Sequence, residues 1–193
     1  MKEKIPNILT YGRILAIPVL VIFFYLPVEW SAFAATIVFM VAAVTDWLDG
    51  YLARRWNQTS AFGAFLDPVA DKLIVAAALI ILVERNPTSA ESIYLALPTI
   101  VIIGREIAIS ALREWMAEIG ESAAVAVSMI GKVKTTVQMI AITLLLYQAP
   151  IVGVSAADAG LVLLYVSAIL TFYSMVIYLK AAWPILKEAP TKP

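Results

Sequence analysis

The chain has 193 residues, of which 62% are hydrophobic, and its mean hydropathy of +0.90 excludes an ordinary soluble domain, which could not bury so much apolar surface. It has no histidine and no cysteine, so thiol chemistry is excluded and any metal site must use carboxylates. Its formal net charge is zero, so the overall charge predicts no nucleic-acid partner. We therefore expect an integral membrane protein.

Six apolar segments have about the length that a bilayer-spanning helix needs, which is roughly 20 residues. They occupy residues 8–26, 32–48, 68–83, 93–112, 130–147 and 159–183. The connections between them are short, which predicts antiparallel packing of neighbouring helices. Since no internal repeat or second domain is visible, we expect an all-α membrane protein in which residues 1–193 form a single domain with six transmembrane helices.

The segment before the first apolar run contains Pro6, Asn7 and Thr10, followed by Arg13. Proline is favoured in the first turn of a helix, and asparagine and threonine are favoured as N-terminal caps. These residues therefore predict the start of the first helix at the membrane surface.

Four aspartates lie within or beside the second and third apolar runs, where a lone carboxylate is costly. They are Asp46, Asp49, Asp67 and Asp71. Helical positions three or four residues apart share one face, so each helix would present a pair of carboxylates. Two such pairs on facing helices form a site for hard divalent cations, and the absence of histidine favours Mg²⁺ or Mn²⁺ over zinc. The alternative is that the four acids are solvated in a loop.

The aspartates belong to a longer pattern, Asp46-x2-Asp49-Gly50-x2-Ala53-Arg54-x8-Gly63-x3-Asp67-x3-Asp71. This pattern resembles the complete signature of the CDP-alcohol phosphotransferase family. Members of that family transfer a group from a CDP-linked donor to an alcohol, release CMP and use two divalent metals. The resemblance implies that Asp46, Asp49, Asp67 and Asp71 hold the metal ions. It also makes Asp71 the best candidate for the catalytic base, because no histidine competes for that role.

The same resemblance implies a binding pocket for the CDP donor. Its residues would be Asn7, Thr10, Gly50, Arg54 and Ser60. For Asn7 and Thr10, this role is compatible with helix capping. Arg54 has an alternative role as a cation that anchors the helix at the membrane surface, as Arg55 would.

Basic residues interrupt the fourth segment and open the fifth. They are Arg105, Arg113, Lys132 and Lys134. Arg105 and Arg113 are eight residues apart, which places them on roughly the same helical face. Because buried cations are costly without a partner, these residues predict a binding pocket for the phosphate of the acceptor. The alternative is that Arg105 pairs with an acid such as Glu106.

Lysine and arginine residues are concentrated at alternate ends of the six segments, with Arg85 as the exception. By the positive-inside rule, both termini and the aspartates lie on the cytoplasmic side of the cell membrane. Three further motifs begin at Ile5, Gly104 and Gly131, and together they resemble the branch of the family whose acceptor is sn-glycerol 3-phosphate and whose donor is CDP-diacylglycerol. The resemblance implies membrane lipids as neighbours and a homodimer as one assembly. Inositol phosphate is the alternative acceptor, and a cation transporter is the alternative class of protein.

Overall fold

The computed structural model describes residues 5–56, 61–121 and 129–188. For residues 5–10, 46–56 and 61–68, and for residues 129, 130, 132, 186 and 188, it describes the backbone alone. These ranges contain six α-helices and no named strand. The helices are α1 (Ile5–Tyr25), α2 (Ser31–Trp56), α3 (Ala61–Arg85), α4 (Ser92–Glu118), α5 (Met129–Tyr147) and α6 (Ala156–Glu188). The prediction of an all-α protein is confirmed.

The helices extend beyond the predicted apolar segments, most of all around the aspartates. Helix α2 continues past residue 48 to Trp56, and α3 begins at Ala61 and not at Pro68 as predicted. Pro68 thus lies inside α3, where it removes one backbone hydrogen bond. Hydropathy does not detect the polar ends of helices, and local preferences are weak predictors of where a helix begins. As a result, Asp46 and Asp49 lie within α2, and Asp67 and Asp71 lie within α3.

The distribution of polar and apolar side chains is the reverse of that in a soluble bundle. Arg13, Arg105 and Lys134 are 2%, 7% and 3% exposed, whereas Leu15 and Ile100 are 65% and 66% exposed. Within the part of the chain that the structure describes, two helices, Ser92–Glu118 and Ala156–Ile185, are long and apolar enough to cross a membrane. Because lipid can cover an apolar outer surface and water cannot, this arrangement fits a membrane protein.

Helices α5 and α6 form a close pair at Gly160. A Cβ atom added at that position would lie 2.9 Å from the carbonyl oxygen of Ala141 and 2.9 Å from Cγ of Leu145. Glycine is required there because any larger residue would separate the two backbones. Helix α1 packs on α2 and α3, and α4 packs on α3 and α6.

Two sets of connections define the two ends of the bundle. At one end, the α3–α4 connection contacts the start of α6, where the backbone N–H of Ser89 donates to Oδ1 of Asp158 at 2.8 Å. Tyr25 at the end of α1 donates to Oε2 of Glu84 at 2.8 Å. The opposite end holds the start of α1 and the end of α2, and we call it the aspartate end. Of the residues that the sequence predicts for the site, those within the described ranges belong to helices α1 to α5.

Candidate functional site

The backbone of α2 and α3 places each pair of aspartates as the pattern predicts. Asp46 and Asp49 are three residues apart in α2, and Asp67 and Asp71 are four residues apart in α3, so each pair lies on one side of its helix. Helices α2 and α3 contact each other. The side chains of Asp46, Asp49 and Asp67 lie outside the described part of the structure. Among the side chains that it describes, no group of three or more acids, histidines or cysteines is placed to hold a metal ion.

Asp71 is the one aspartate of the four whose side chain is described, and it forms an ion pair with Arg13. Nη1 of Arg13 donates to Oδ1 of Asp71. The arginine side chain is almost completely buried, whereas the Asp71 side chain is 38% exposed. The carboxylate therefore remains accessible on one side while a buried cation holds its other side. A charge-assisted contact of this kind fixes the orientation of the carboxylate.

Sequence reasoning missed the role of Arg13, which it treated only as a positive charge for topology. The available signal was its position inside the first apolar segment, where a cation needs a partner. The sequence does not show which acid provides that partner, because Asp71 is 58 residues away.

The predicted donor pocket lies entirely outside the described side chains. Asn7 and Thr10 belong to α1, and Gly50 and Arg54 belong to α2, so their backbone is helical. Ser60 is outside the described residues. The roles assigned to these five positions therefore stay predictions.

An apolar groove of about 490 Å³ runs along the outside of α1 and α2. Arg13 and Thr45 line it toward the aspartate end, and Val19 and Ile37 line it farther along the bundle. The groove therefore extends from Arg13, which contacts Asp71, along an apolar surface that is suited to hydrocarbon chains.

Two of the four predicted phosphate-binding cations, Arg105 and Lys134, contact the same acid, Glu106. Nζ of Lys134 donates to Oε1 of Glu106 at 2.5 Å, and Nη1 of Arg105 lies 3.2 Å from the same oxygen. The ion pair between Arg105 and Glu106, which the sequence offered as an alternative, is therefore present. One carboxylate cannot neutralise two cations, so the contact leaves the group positively charged.

Helix α6 supplies the other partners of the two arginines. Nη2 of Arg105 donates to Oγ of Ser174 at 3.2 Å, and Nη2 of Arg113 donates to the hydroxyl oxygen of Tyr178 at 2.9 Å. Both guanidinium groups also lie over the ring of Tyr178, at 5.5 Å for Arg105 and 5.1 Å for Arg113. Sequence reasoning missed Ser174 and Tyr178, which lie in a helix with no distinguishing motif.

We call Arg105, Arg113, Lys134 and Glu106 the cationic cluster. Its three cations and one carboxylate leave a net charge of +2. Within the described residues, Nε of Arg105 and Nε of Arg113 are buried and have no hydrogen-bond partner. Buried donors of this kind are normally satisfied, so the cluster retains capacity to bind an anion. The fourth predicted cation, Lys132, lies in α5, and its side chain is outside the described part.

A small cavity joins the cationic cluster to the helix of Asp71. It measures about 150 Å³ and is lined by Lys72 and Val75 from α3 and by Ile103 and Glu106 from α4. Lys72 follows Asp71 directly in the chain. The α3 helix that holds the proposed base and the α4 helix that holds two of the cations are therefore neighbours at this level of the bundle.

Comparison with known proteins shows which family this chain resembles. Residues 3–178 match the family model described as CDP-alcohol phosphatidyltransferase. The chain is 55% identical over 182 residues to the protein from Escherichia coli (strain K12) named CDP-diacylglycerol–glycerol-3-phosphate 3-phosphatidyltransferase, covering 94% of this chain and 96% of that protein. It is similar, at 54% identity with the same coverage of both chains, to the protein of the same name from Shigella flexneri serotype 5b.

The family model covers most of the chain, including the whole segment from Asp46 to Asp71 and the cationic cluster. The apolar outer surface and the two long apolar helices are those of a membrane protein. The chain therefore belongs to the CDP-alcohol phosphatidyltransferase family and is a membrane enzyme of that class.

Proposed function

We propose that this enzyme transfers the phosphatidyl group of CDP-diacylglycerol to sn-glycerol 3-phosphate and forms phosphatidylglycerol phosphate and CMP. The structural observation that supports this acceptor is the buried cationic cluster with its net charge of +2. A phosphate monoester has a charge of about −1.5 to −2 at pH 7, which complements that charge. The names of the relatives from Escherichia coli and Shigella specify the same donor and acceptor.

The reaction joins a hydroxyl oxygen of the acceptor to the β-phosphorus of the donor and breaks the bond to CMP. Asp71 would accept the proton of the attacking hydroxyl, since the chain has no histidine for that task. Arg13 supports this role because it holds one carboxylate oxygen and leaves the side chain partly exposed. Arg13 would thereby position the base without contacting the acceptor.

The residues present fit a site for two divalent cations, Mg²⁺ or Mn²⁺. Oxygen ligands suit these hard ions, and Asp46, Asp49, Asp67 and Asp71 offer only oxygen from two contacting helices. When bound, the ions would neutralise the pyrophosphate and the charge that develops on it. In the proposed donor pocket, Asn7, Thr10, Gly50, Arg54 and Ser60 would bind the cytidine nucleotide. The groove between α1 and α2 supports a lipid donor, because its apolar walls lead away from Arg13.

Loss of a cluster cation should weaken the binding of glycerol 3-phosphate selectively. A hydrogen bond to a charged group contributes roughly 1.5–3 kcal/mol, and 1.4 kcal/mol is about tenfold in affinity. We expect Arg105→Gln or Lys134→Gln to raise the KM for glycerol 3-phosphate about ten- to a hundredfold while the KM for CDP-diacylglycerol changes little. Steady-state kinetics with each substrate varied in turn would measure both values.

Glycerol, which lacks the phosphate, provides the second arm of this experiment. Exchange of glycerol 3-phosphate for glycerol should impair wild type much more than the variants, which have already lost a phosphate partner. The control is Lys180→Gln, which removes an exposed cation of α6 and should behave as wild type. Equal losses for both acceptors would contradict the phosphate pocket. Preference for inositol phosphate over glycerol 3-phosphate would keep the pocket and change the acceptor.

We also propose that residues 1–193 act as one domain with six transmembrane helices and with the aspartate end in the cytoplasm. The distribution of lysine and arginine supports this orientation. Because the chain has no cysteine, single cysteines can report it directly. We expect Asn57→Cys to react with a membrane-impermeant thiol reagent only when the cytoplasmic face is accessible. Thr88→Cys, in the α3–α4 connection, should react from the other face, and the reverse pattern would overturn the orientation.

A further inference from the structure

Tyr178 occupies a central position in the cationic cluster although it has no charge. It is buried in α6, and its hydroxyl oxygen accepts a hydrogen bond from Arg113 at 2.9 Å. Both guanidinium groups of the cluster lie over its ring, at 5.1 and 5.5 Å. One side chain therefore contacts two cations that are separated by two turns of α4.

Such a contact limits the conformations of both arginines. An arginine side chain loses rotamer entropy when a ligand orders it, unless the protein has already ordered the side chain. Contact with an aromatic face attracts the guanidinium group through the quadrupole of the ring. The hydrogen bond to Tyr178 uses Nη2 of Arg113, so other N–H groups of that guanidinium remain as donors for a ligand.

Glu106 constrains the cluster from another direction. Its Oε1 contacts Lys134 and Arg105, so Arg105 lies between the carboxylate of α4 and the ring of α6. Ser174 adds a third contact to Arg105 at 3.2 Å. The cations are thus ordered by their own partners before any anion binds, which lowers the entropy cost of binding one.

We propose that Tyr178 is a positioning residue that makes the enzyme selective for acceptors with a phosphate group, by holding Arg105 and Arg113 in a geometry suited to that group. The inference rests on the proposed function, since it assumes that the cluster binds the acceptor. It adds a residue from α6 that has no charge of its own and would act through the two arginines.

Two substitutions separate the contributions of the hydroxyl and the ring. Tyr178→Phe keeps the ring beneath both guanidinium groups and removes the hydrogen-bond acceptor of Arg113. We expect it to raise the KM for glycerol 3-phosphate about three- to tenfold. Tyr178→Leu removes the ring as well, and we expect a rise of about ten- to a hundredfold. In both variants, kcat and the KM for CDP-diacylglycerol should stay close to wild type.

The decisive readout is the ratio of kcat/KM for glycerol 3-phosphate to kcat/KM for glycerol. A positioning role predicts that this ratio falls from wild type to Tyr178→Phe and again to Tyr178→Leu. A purely structural role would reduce activity toward both acceptors and leave the ratio unchanged. The matched controls are Tyr173→Phe and Tyr173→Leu, because Tyr173 lies in the same helix but is 56% exposed and lines an outer groove. Thermal unfolding in detergent would verify that each variant is folded.

The outcomes distinguish this inference from the proposed function. If wild type uses glycerol as well as glycerol 3-phosphate, the proposed acceptor fails. If wild type prefers glycerol 3-phosphate and folded Tyr178→Phe and Tyr178→Leu keep the wild-type ratio, the positioning role of Tyr178 is overturned while the proposed function stands. If wild type prefers another phosphate-bearing alcohol, the same ratio measured with that alcohol decides the role of Tyr178.

Discussion

Removal of divalent cations is expected to abolish CMP release by the purified enzyme. The four aspartates and the pyrophosphate of the donor are all negative, and at 4 Å two like charges repel by about 4 kcal/mol at an effective dielectric constant near 20. Without cations to separate these charges, the donor should neither bind nor react. Treatment with EDTA followed by an assay of CMP release would measure the loss. Addition of Mg²⁺ or Mn²⁺ should restore activity.

A second readout makes this result independent of catalysis. Mn²⁺ binding to the protein, followed by electron paramagnetic resonance, should approach two ions per chain and should weaken in Asp46→Asn or Asp67→Asn. Size-exclusion chromatography after EDTA treatment would verify that the protein stays folded. Full activity in a rigorously metal-free preparation would refute the metal site and would leave Asp46, Asp49 and Asp67 without an assigned role.

Asp71→Asn should lower turnover at least ~100-fold, the scale typical of the loss of a general base. The substitution keeps the size of the side chain and removes the carboxylate that would accept the proton. Donor binding should decrease less than turnover, because Asp46, Asp49 and Asp67 remain. Single-turnover kinetics together with a direct measurement of CDP-diacylglycerol binding would separate the two effects. A loss confined to donor affinity would make Asp71 a metal ligand only.

The ion pair with Arg13 requires a control in this experiment. Asp71→Asn removes the carboxylate that contacts the buried Arg13, which can destabilise the protein by several kcal/mol. Asp158→Asn is the matched control, since Asp158 is an acid with hydrogen bonds to Ser89 at the opposite end of the bundle. Comparison of unfolding temperatures would identify any loss of stability. Activity per folded molecule is then the quantity to compare.

The sequence predicts the existence of every helix because apolar residues in runs of about 20 have few alternatives in a membrane. It predicts the helix ends less well. The segment from Asp49 to Trp56 is polar, so hydropathy does not extend α2 through it, although the backbone remains helical there. Pro68 predicts a helix start, but it lies inside α3. In both places the backbone is helical through residues that hydropathy or a proline marks as a boundary, because such local signals are weak predictors of helix ends.

For the candidate site too, the sequence predicts some of the residues and not others. The aspartate spacing and the cluster cations are visible in the sequence because charged residues in apolar segments are rare. Their partners are not visible in the same way. Ser174 and Tyr178 are ordinary residues of an apolar helix, and Glu106 reads as a partner for Arg105 but not for Lys134, 28 residues away. Sequence therefore indicates which charges need partners, whereas the fold determines which residues provide them.

The dependence of the two arginines on α6 has a consequence for biogenesis. Ser174 and Tyr178 are synthesised 69 and 65 residues after Arg105 and Arg113, so α4 is synthesised before these partners exist. An arginine at the centre of an inserting helix costs about 2.5–3.5 kcal/mol on translocon scales. Glu106, the immediate neighbour of Arg105, can offset part of that charge during the interval. In a nascent chain truncated before α6, the fraction of α4 inserted in the membrane should therefore be lower than in the full chain. Translation of α6 should raise that fraction.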